Sequence, residues 1–267
     1  DPREEVWWRS LAERAFARGV PVHYPDSPKG PELRDLVASC APDFLFSFYY
    51  RHMIPQEVLD LPPRGALNLH GSLLPRYRGR APVNWVLVNG ETETGVSLHY
   101  MVAKPDAGDL VDQEAVGIDF AETPLTLYAK LEGAAAKLLD RALPLLKAGR
   151  APRVPLDLSK GSYFGGRRPE DGLILWESTS EQIYFLVRGV THPYPGAFTS
   201  LGGRKLLIWW AWPGGAGDAV PPGTVLGAAD AGFDVAAGGG TLRVLRCQLE
   251  GEEEMDGAAF FVRQGLA

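Results

Sequence analysis

Cysteine is scarce in this chain. Its 267 residues include only Cys40 and Cys247, far apart and without the paired spacing of a zinc site, so neither a disulfide framework nor a Cys-based metal centre is expected. Two buried thiols in a reducing compartment are the simplest expectation. No apolar run approaches the ~20 residues of a membrane-spanning helix. No basic stretch leads into an apolar one at the start, so the expected location is the cytoplasm. Positive charge is also short: 27 Lys and Arg face 33 Asp and Glu, for a net charge of −6. That balance removes the cheap electrostatic footprint by which nucleic-acid binders announce themselves. No G-x-G-x-x-G follows a strand-like run, which argues against a dinucleotide-dependent oxidoreductase. The G-x-S-x-G elbow of serine hydrolases is missing too, and no internal repeat is visible.

What is present is globular: 45% hydrophobic and 22% charged residues, enough for two domains with cores of their own. The first stretch, PREEVWWRSLAERAFARGVPVHYPD, reads as an amphipathic helix with Val6, Trp7, Leu11, Ala15 and Phe16 near helical spacing, stopped by Gly19 and followed by a short strand. KGPELRDLVASC predicts a helix, DFLFSFYY a buried strand, IPQEVLDLP a short helix and GALNLH the next strand. APVNWVLVNG reads as a helix, then TGVSLHYM and GDLVDQEAVGI as strands. The longest helix opens at Thr123 as cap and Pro124 as first residue, with Gly149 beyond its end. Alternating strands and helices predict an α/β fold, a doubly wound and mostly parallel sheet with function gathered beyond the carboxyl ends of its strands. Such a sheet ordinarily opens on a strand, and this chain opens on a helix, so a first strand is expected to be absent from it. Beyond residue 155 one more helix is followed by short strands broken by Gly and Pro, which predict a small β-barrel. Two domains are expected, 1–157 and 158–267, with WPGGAGDAVPPG as a loop in the second.

The run LNLHGSLLPRYRGRAP, residues 67–82, holds the chemistry. A core strand has no use for an amide and an imidazole two residues apart, yet Asn68 and His70 sit at the end of one. An Asn side chain can donate to an oxyanion forming on a carbonyl, and a His can exchange a proton near neutrality. Downstream, MVAKPDAGD supplies Asp106, a carboxylate able to fix the imidazole tautomer and raise its pKa. The three together suit attack of an amine on a carbonyl without a covalent enzyme intermediate. Ser72 lies close by but has no elbow to activate it.

LNLHGSLLPRYRGRAP and ETETGVSLHYMVAKPDAGDLVDQ resemble the formyltransferases that use 10-formyltetrahydrofolate. Asn-x-His before Ser-Leu-Leu-Pro, with a downstream Asp-x-Gly, is a specific signature of that family. The likeness extends through FSFYYRHMI, FGGRRPEDGLILW and HPYPGAFT, so it spans nearly the whole chain. It implies a Rossmann-like catalytic domain followed by an OB-like barrel. It also implies Asn68 as oxyanion stabiliser, His70 as proton-transfer residue and Asp106 as the group that raises the histidine pKa. His52, Met53, Ile54, Arg80 and the loop Val102, Ala103, Lys104 and Pro105 would hold the folate co-substrate, with no metal. Arg167 and Arg168 would face a nucleotide diphosphate, or they are simply a pair on a loop surface. Within the family the wording is closest to the polymyxin-resistance branch, in which a formyltransferase domain of a bifunctional chain acts on UDP-4-amino-4-deoxy-L-arabinose for lipid A modification. The dehydrogenase/decarboxylase half of such chains is absent, which leaves a free-standing enzyme or one domain of a longer chain. The alternative is methionyl-tRNA formyltransferase, whose long basic loop before the first helix has no counterpart in DPREEVWWRS. Residues 159–267 carry nine Lys and Arg against twelve Asp and Glu, the wrong sign for tracking phosphates.

Overall fold

The first helix, α1, spans Leu11–Phe16, with the Ser10 hydroxyl accepting from the Glu13 N–H as its N-cap. These coordinates come from a computed structural model that describes residues 7–215 and 220–266; Val6 and part of the WPGGAGDAVPPG loop lie outside them. α1 buries none of its residues. The strand expected after it does not form: Pro21 and Pro25 bracket that segment and remove two of the donors a ladder needs. Helix α2, Pro31–Cys40, follows, with Pro in its first turn. Cys247 is buried as expected, but Cys40, at the end of α2, is exposed.

Strand β1, Leu45–Phe48, and strand β2, Ala66–His70, are joined through α3, Gln56–Leu59, and pair in parallel. The two-residue strand β3, Arg78–Gly79, and helix α4, Pro82–Val88, lead to β4, Glu93–Tyr100, and β5, Leu110–Gly117. The first sheet runs in the order β1-β2-β4-β5. β4 is antiparallel to β2, and β5 is antiparallel to β4. The sheet is α/β as expected, but its parallel part is the β1–β2 pair. The cause is the connections. Residues 71–92 stay near the His70 end of β2, where β4 then starts, and the loop 101–109 is too short to carry a parallel crossover.

Helix α5, Pro124–Lys147, closes one face. Thr123 caps it, and Leu127, Leu131, Ala134, Leu138, Ala142 and Leu146 form its buried stripe. That stripe packs with Leu67, Leu69, Val96 and Leu98 of β2 and β4. Each buried Leu contributes about 1.5–3 kcal/mol of transfer free energy. Strand β6, Tyr163–Phe164, pairs in parallel with β3. Helix α6, Ser180–Val190, introduces the second sheet. Its strands are β7, Ala197–Leu201; β8, Arg204–Pro213; β9, Val225–Ala229; β10, Gly232–Ala237; and β11, Gly240–Leu249. They lie in the order β7-β8-β11-β10-β9, and the short β12, Met255–Asp256, adds to β11. α6 and the last helix α7, Gly257–Gln264, pack on this curled antiparallel sheet around Ile183, Val187, Phe233, Val244 and Phe260.

Candidate active site

Side chains alternate across a strand. Leu67 and Leu69 point into the core, so Asn68 and His70 are forced onto the opposite face of the sheet. The register of β4 sets His99 against Asn68 and Ser97 against His70, and residues directly opposite share a face. One face of the first sheet is therefore apolar beneath α5, and the other carries Asn68, His70, Ser97 and His99.

Asp106 reaches this polar face from the 101–109 loop. Its Oδ1 lies 3.4 Å from Asn68 Nδ2, 3.5 Å from His99 Nε2 and 3.6 Å from His70 Nδ1. Its Oδ2 accepts from the Gly79 N–H at 2.8 Å. Two glycines make this approach possible. A Cβ at Gly108 would stand 2.0 Å from the Tyr100 carbonyl oxygen, and one at Gly79, where φ is +100°, would stand 2.2 Å from that of Phe164. The glycine of Asp-x-Gly thus lets the loop fold back across the end of β4.

His70 is buried, and its Nε2–H donates to the Tyr77 carbonyl at 2.8 Å. That bond leaves Nδ1 as the nitrogen turned towards Asp106. Burial pushes the His70 pKa below its usual 6.5; Asp106 and the Tyr77 carbonyl push it back up without winning, and His99 adds a small downward push. Asp106 does push the His70 pKa up, as expected of it, but desolvation of the ring outweighs it. Burial pushes the Asp106 carboxyl up, yet His99 and His70 in their protonated forms, with the Gly79 N–H, hold it below the ordinary carboxylate value. A neutral imidazole therefore faces an anionic carboxylate, with an amide between that carboxylate and a second imidazole.

The remaining expected residues form a rim rather than a pocket wall. His52 and Met53 are exposed and Ile54 half-buried on the segment that leaves the carboxyl end of β1. Val102, Ala103 and Lys104 are exposed and Pro105 half-buried on the loop that delivers Asp106. Arg80 is exposed and lies against Gly166. The half-buried Arg167 sits 4.5 Å over the Trp85 ring and donates to the Asp171 carbonyl at 2.9 Å. Arg168 is exposed, its backbone N–H donating to the Asp171 carboxylate. Sequence reasoning missed His99 and Arg78. His99 is almost fully buried, and its signal was a polar period of two, Ser97 and His99, inside an otherwise apolar strand. Arg78 is 8% exposed, and its Nε and Nη1 are sealed from solvent with no acceptor among the described residues. Among the described residues no group of His, Cys, Asp and Glu is arranged to hold a metal ion.

The signature of the family described as Formyl transferase matches residues 17–143, and that of its C-terminal domain matches residues 167–265. Between them they take in most of the chain. The chain belongs to the formyl transferase family. This formyltransferase is similar in structure to HypX from Aquifex aeolicus, solved in complex with tetrahydrofolic acid, at 21% identity and a TM-score of 0.64 over 87% of this chain and 41% of HypX. The chain thus spans less than half the length of that structure. It is also similar to an N-formyltransferase from Helicobacter canadensis, solved with folinic acid and dTDP-3-aminofucose, at 18% identity and a TM-score of 0.66 over 96% of this chain and 86% of that one. Methionyl-tRNA formyltransferase from Clostridium thermocellum matches at 22% identity and a TM-score of 0.54, over 69% of this chain and 78% of that one. At these identities the likeness is one of fold.

Proposed function

We propose that this formyltransferase moves the formyl group of 10-formyltetrahydrofolate onto the amine of a sugar nucleotide, with UDP-4-amino-4-deoxy-L-arabinose as the acceptor. The observation that carries the reading is the convergence of Asn68, His70 and Asp106 within 3.4–3.6 Å of one carboxylate oxygen on a single sheet face. His70 Nδ1 takes the proton from the acceptor amine as its nitrogen bonds to the formyl carbon. An Asn68 N–H donates to the oxygen that becomes an oxyanion. His70 then returns the proton to N10 of the folate as the carbon–N10 bond breaks, leaving a formamide and tetrahydrofolate. Asp106 stabilises the transient imidazolium.

A flat heterocycle suits the rim. Met53 and Val102 expose apolar surface on the two loops that flank the site, and the exposed Arg80 offers a donor fork. His52, Met53, Ile54, Arg80 and residues 102–105 are the proposed folate contacts. For the acceptor, the support lies in charge. Nε and Nη1 of the buried Arg78 guanidinium find no acceptor among the described residues, and a buried cation with unsatisfied donors favours an anion beside it. With Arg167 and Arg168 it would serve a diphosphate. A long tRNA acceptor would ask for a broad basic surface, and residues 159–267 are net acidic.

The test offers purified protein both acceptors with 10-formyltetrahydrofolate at two salt concentrations. Transfer to the sugar nucleotide with mild salt dependence is expected, and none to methionyl-tRNA. Salt-sensitive transfer to methionyl-tRNA alone would overturn the acceptor assignment and leave formyl transfer standing.

A further inference from the structure

His99 is used by no step above, yet it is buried against the two residues on which those steps depend. Its Nδ1 lies 2.9 Å from the Tyr100 carbonyl oxygen. A carbonyl only accepts, so Nδ1 carries the hydrogen. A ring bonded in this way presents a lone pair at Nε2, and Nε2 lies 3.3 Å from Asn68 Nδ2. The amide nitrogen of Asn68 owns two hydrogens, and its second neighbour is Asp106 Oδ1 at 3.4 Å. Nε2 and Oδ1 are themselves 3.5 Å apart. Two acceptors so close repel one another unless a donor lies between them, and a single Asn68 N–H shared by both is that donor, which leaves the other N–H for the oxyanion.

We infer that His99 is a positioning residue that sets which way round the Asn68 carboxamide stands. An amide turned by half a revolution would set its oxygen against a ring lone pair and a carboxylate. It would also present that oxygen to the developing oxyanion, where repulsion would replace donation. His99 fixes the useful orientation through a chain of three groups: the Tyr100 carbonyl holds Nδ1–H, the tautomer frees Nε2, and Nε2 holds the amide. Asp106 reaches the amide from the 101–109 loop rather than from the sheet. His99 stands on the sheet itself, in register with Asn68, and shares the rigidity of the strand pair. An imidazolium at position 99 would undo the arrangement, aiming an N–H at Asp106 and setting it against the Asn68 N–H.

This inference rests on Asn68 being the oxyanion donor, and the test separates the two ideas. His99→Asn keeps a donor for the Tyr100 carbonyl and removes the acceptor at the Nε2 position. His99→Gln restores an acceptor near that position. His99→Asn is expected to lower kcat by about tenfold to a hundredfold with KM for both substrates within about threefold, and His99→Gln to recover most of that loss. In an Asn68→Ala background His99→Asn should cost little more, since the residue acts through the amide. A merely structural histidine would lower KM performance and stability in both backgrounds and gain nothing from glutamine. A second readout needs neither substrate nor variant: the 15N shift of His99 Nε2 in the native protein should be that of an unprotonated imidazole nitrogen. A protonated Nε2, an unimpaired His99→Asn, or losses that multiply with Asn68→Ala would each overturn the inference. If instead Asn68→Ala were itself fully active, the oxyanion role would fall while the nitrogen shift still tested the hydrogen-bond chain.

Discussion

The two sheets of this protein place their polar side chains in opposite ways. The first buries His70, Ser97 and His99 on one face, with Asn68 half-buried among them, and keeps its apolar residues under α5 on the other. The second fills its interior with Phe233, Val235, Leu242, Val244 and Cys247. Its charges stay outside, in pairs such as Arg243 with Asp234 and Arg246 with Glu254 and Asp256. A buried polar face costs desolvation at every group, offset here by hydrogen bonds such as those of Ser97 with Leu74 and Ser72 and of His70 with Tyr77. The proposed chemistry falls on the first sheet, and the second carries none of its residues.

The largest expected effect comes from emptying the polar face. Asn68→Ala should cut kcat by about two to three orders of magnitude with little change in KM. His70→Ala and Asp106→Ala should each be severe and should not multiply, because they serve one proton transfer. Steady-state kinetics on the single and double variants checks both. In the second sheet the loss should be of another kind. Phe260, 1% exposed and packed on Phe233, should cost about 3–5 kcal/mol of stability when cut to alanine. Denaturant unfolding would show the loss, while kcat of the folded fraction stays at the native level. A large fall in kcat there would blur the division between the sheets.

A smaller effect concerns pH. Because burial holds His70 below 6.5, it stays neutral and competent as a base somewhat below that value, and kcat should rise with pH along an acid limb lying under 6.5. Asp106→Asn removes an anion that favours imidazolium, so the limb should move further down. Stability follows the same sign. The unfolded chain binds the His70 proton first, so stability is full above the unfolded pKa near 6.5 and falls as pH drops from there towards the folded value. His70→Gln should flatten that part of a Tm–pH curve. The smallest effect belongs to the outer face of the second sheet. Arg243 and Asp234 meet across β10 and β11 through contacts of 2.9 and 3.0 Å, yet a double-mutant cycle should give about 1 kcal/mol or less, with activity untouched.

Much of the site was legible in the sequence because polar groups in an apolar strand stand out. Asn68 and His70 were visible on that ground, and Asp106 through its glycine two residues on. His99 was not, since its meaning depends on the register between β2 and β4, which no single strand reveals. The upward push of Asp106 on His70 was legible from the motif, but the burial that outweighs it is a property of the packed whole. Alternation of strands and helices gave the α/β class, while strand direction turned on how far the 71–92 excursion travels. The proline-bracketed segment after α1 had apolar residues enough for a strand and too few donors.

The segment joining the two sheets is stitched to the catalytic loop. Ser162 accepts from the Tyr77 N–H through its hydroxyl and from the Arg78 N–H through its carbonyl, and Phe164 accepts from the Arg80 N–H. Tyr77 and Gly79, in turn, hold His70 and Asp106. The connector is therefore no hinge, and the catalytic half is no detachable module. A chain cut after residue 157 would retain Asn68, His70 and Asp106 and lose the splint that keeps two of them aligned. Supplying residues 158–267 as a separate polypeptide should restore slow amide exchange at Arg78 and Arg80 before it restores turnover.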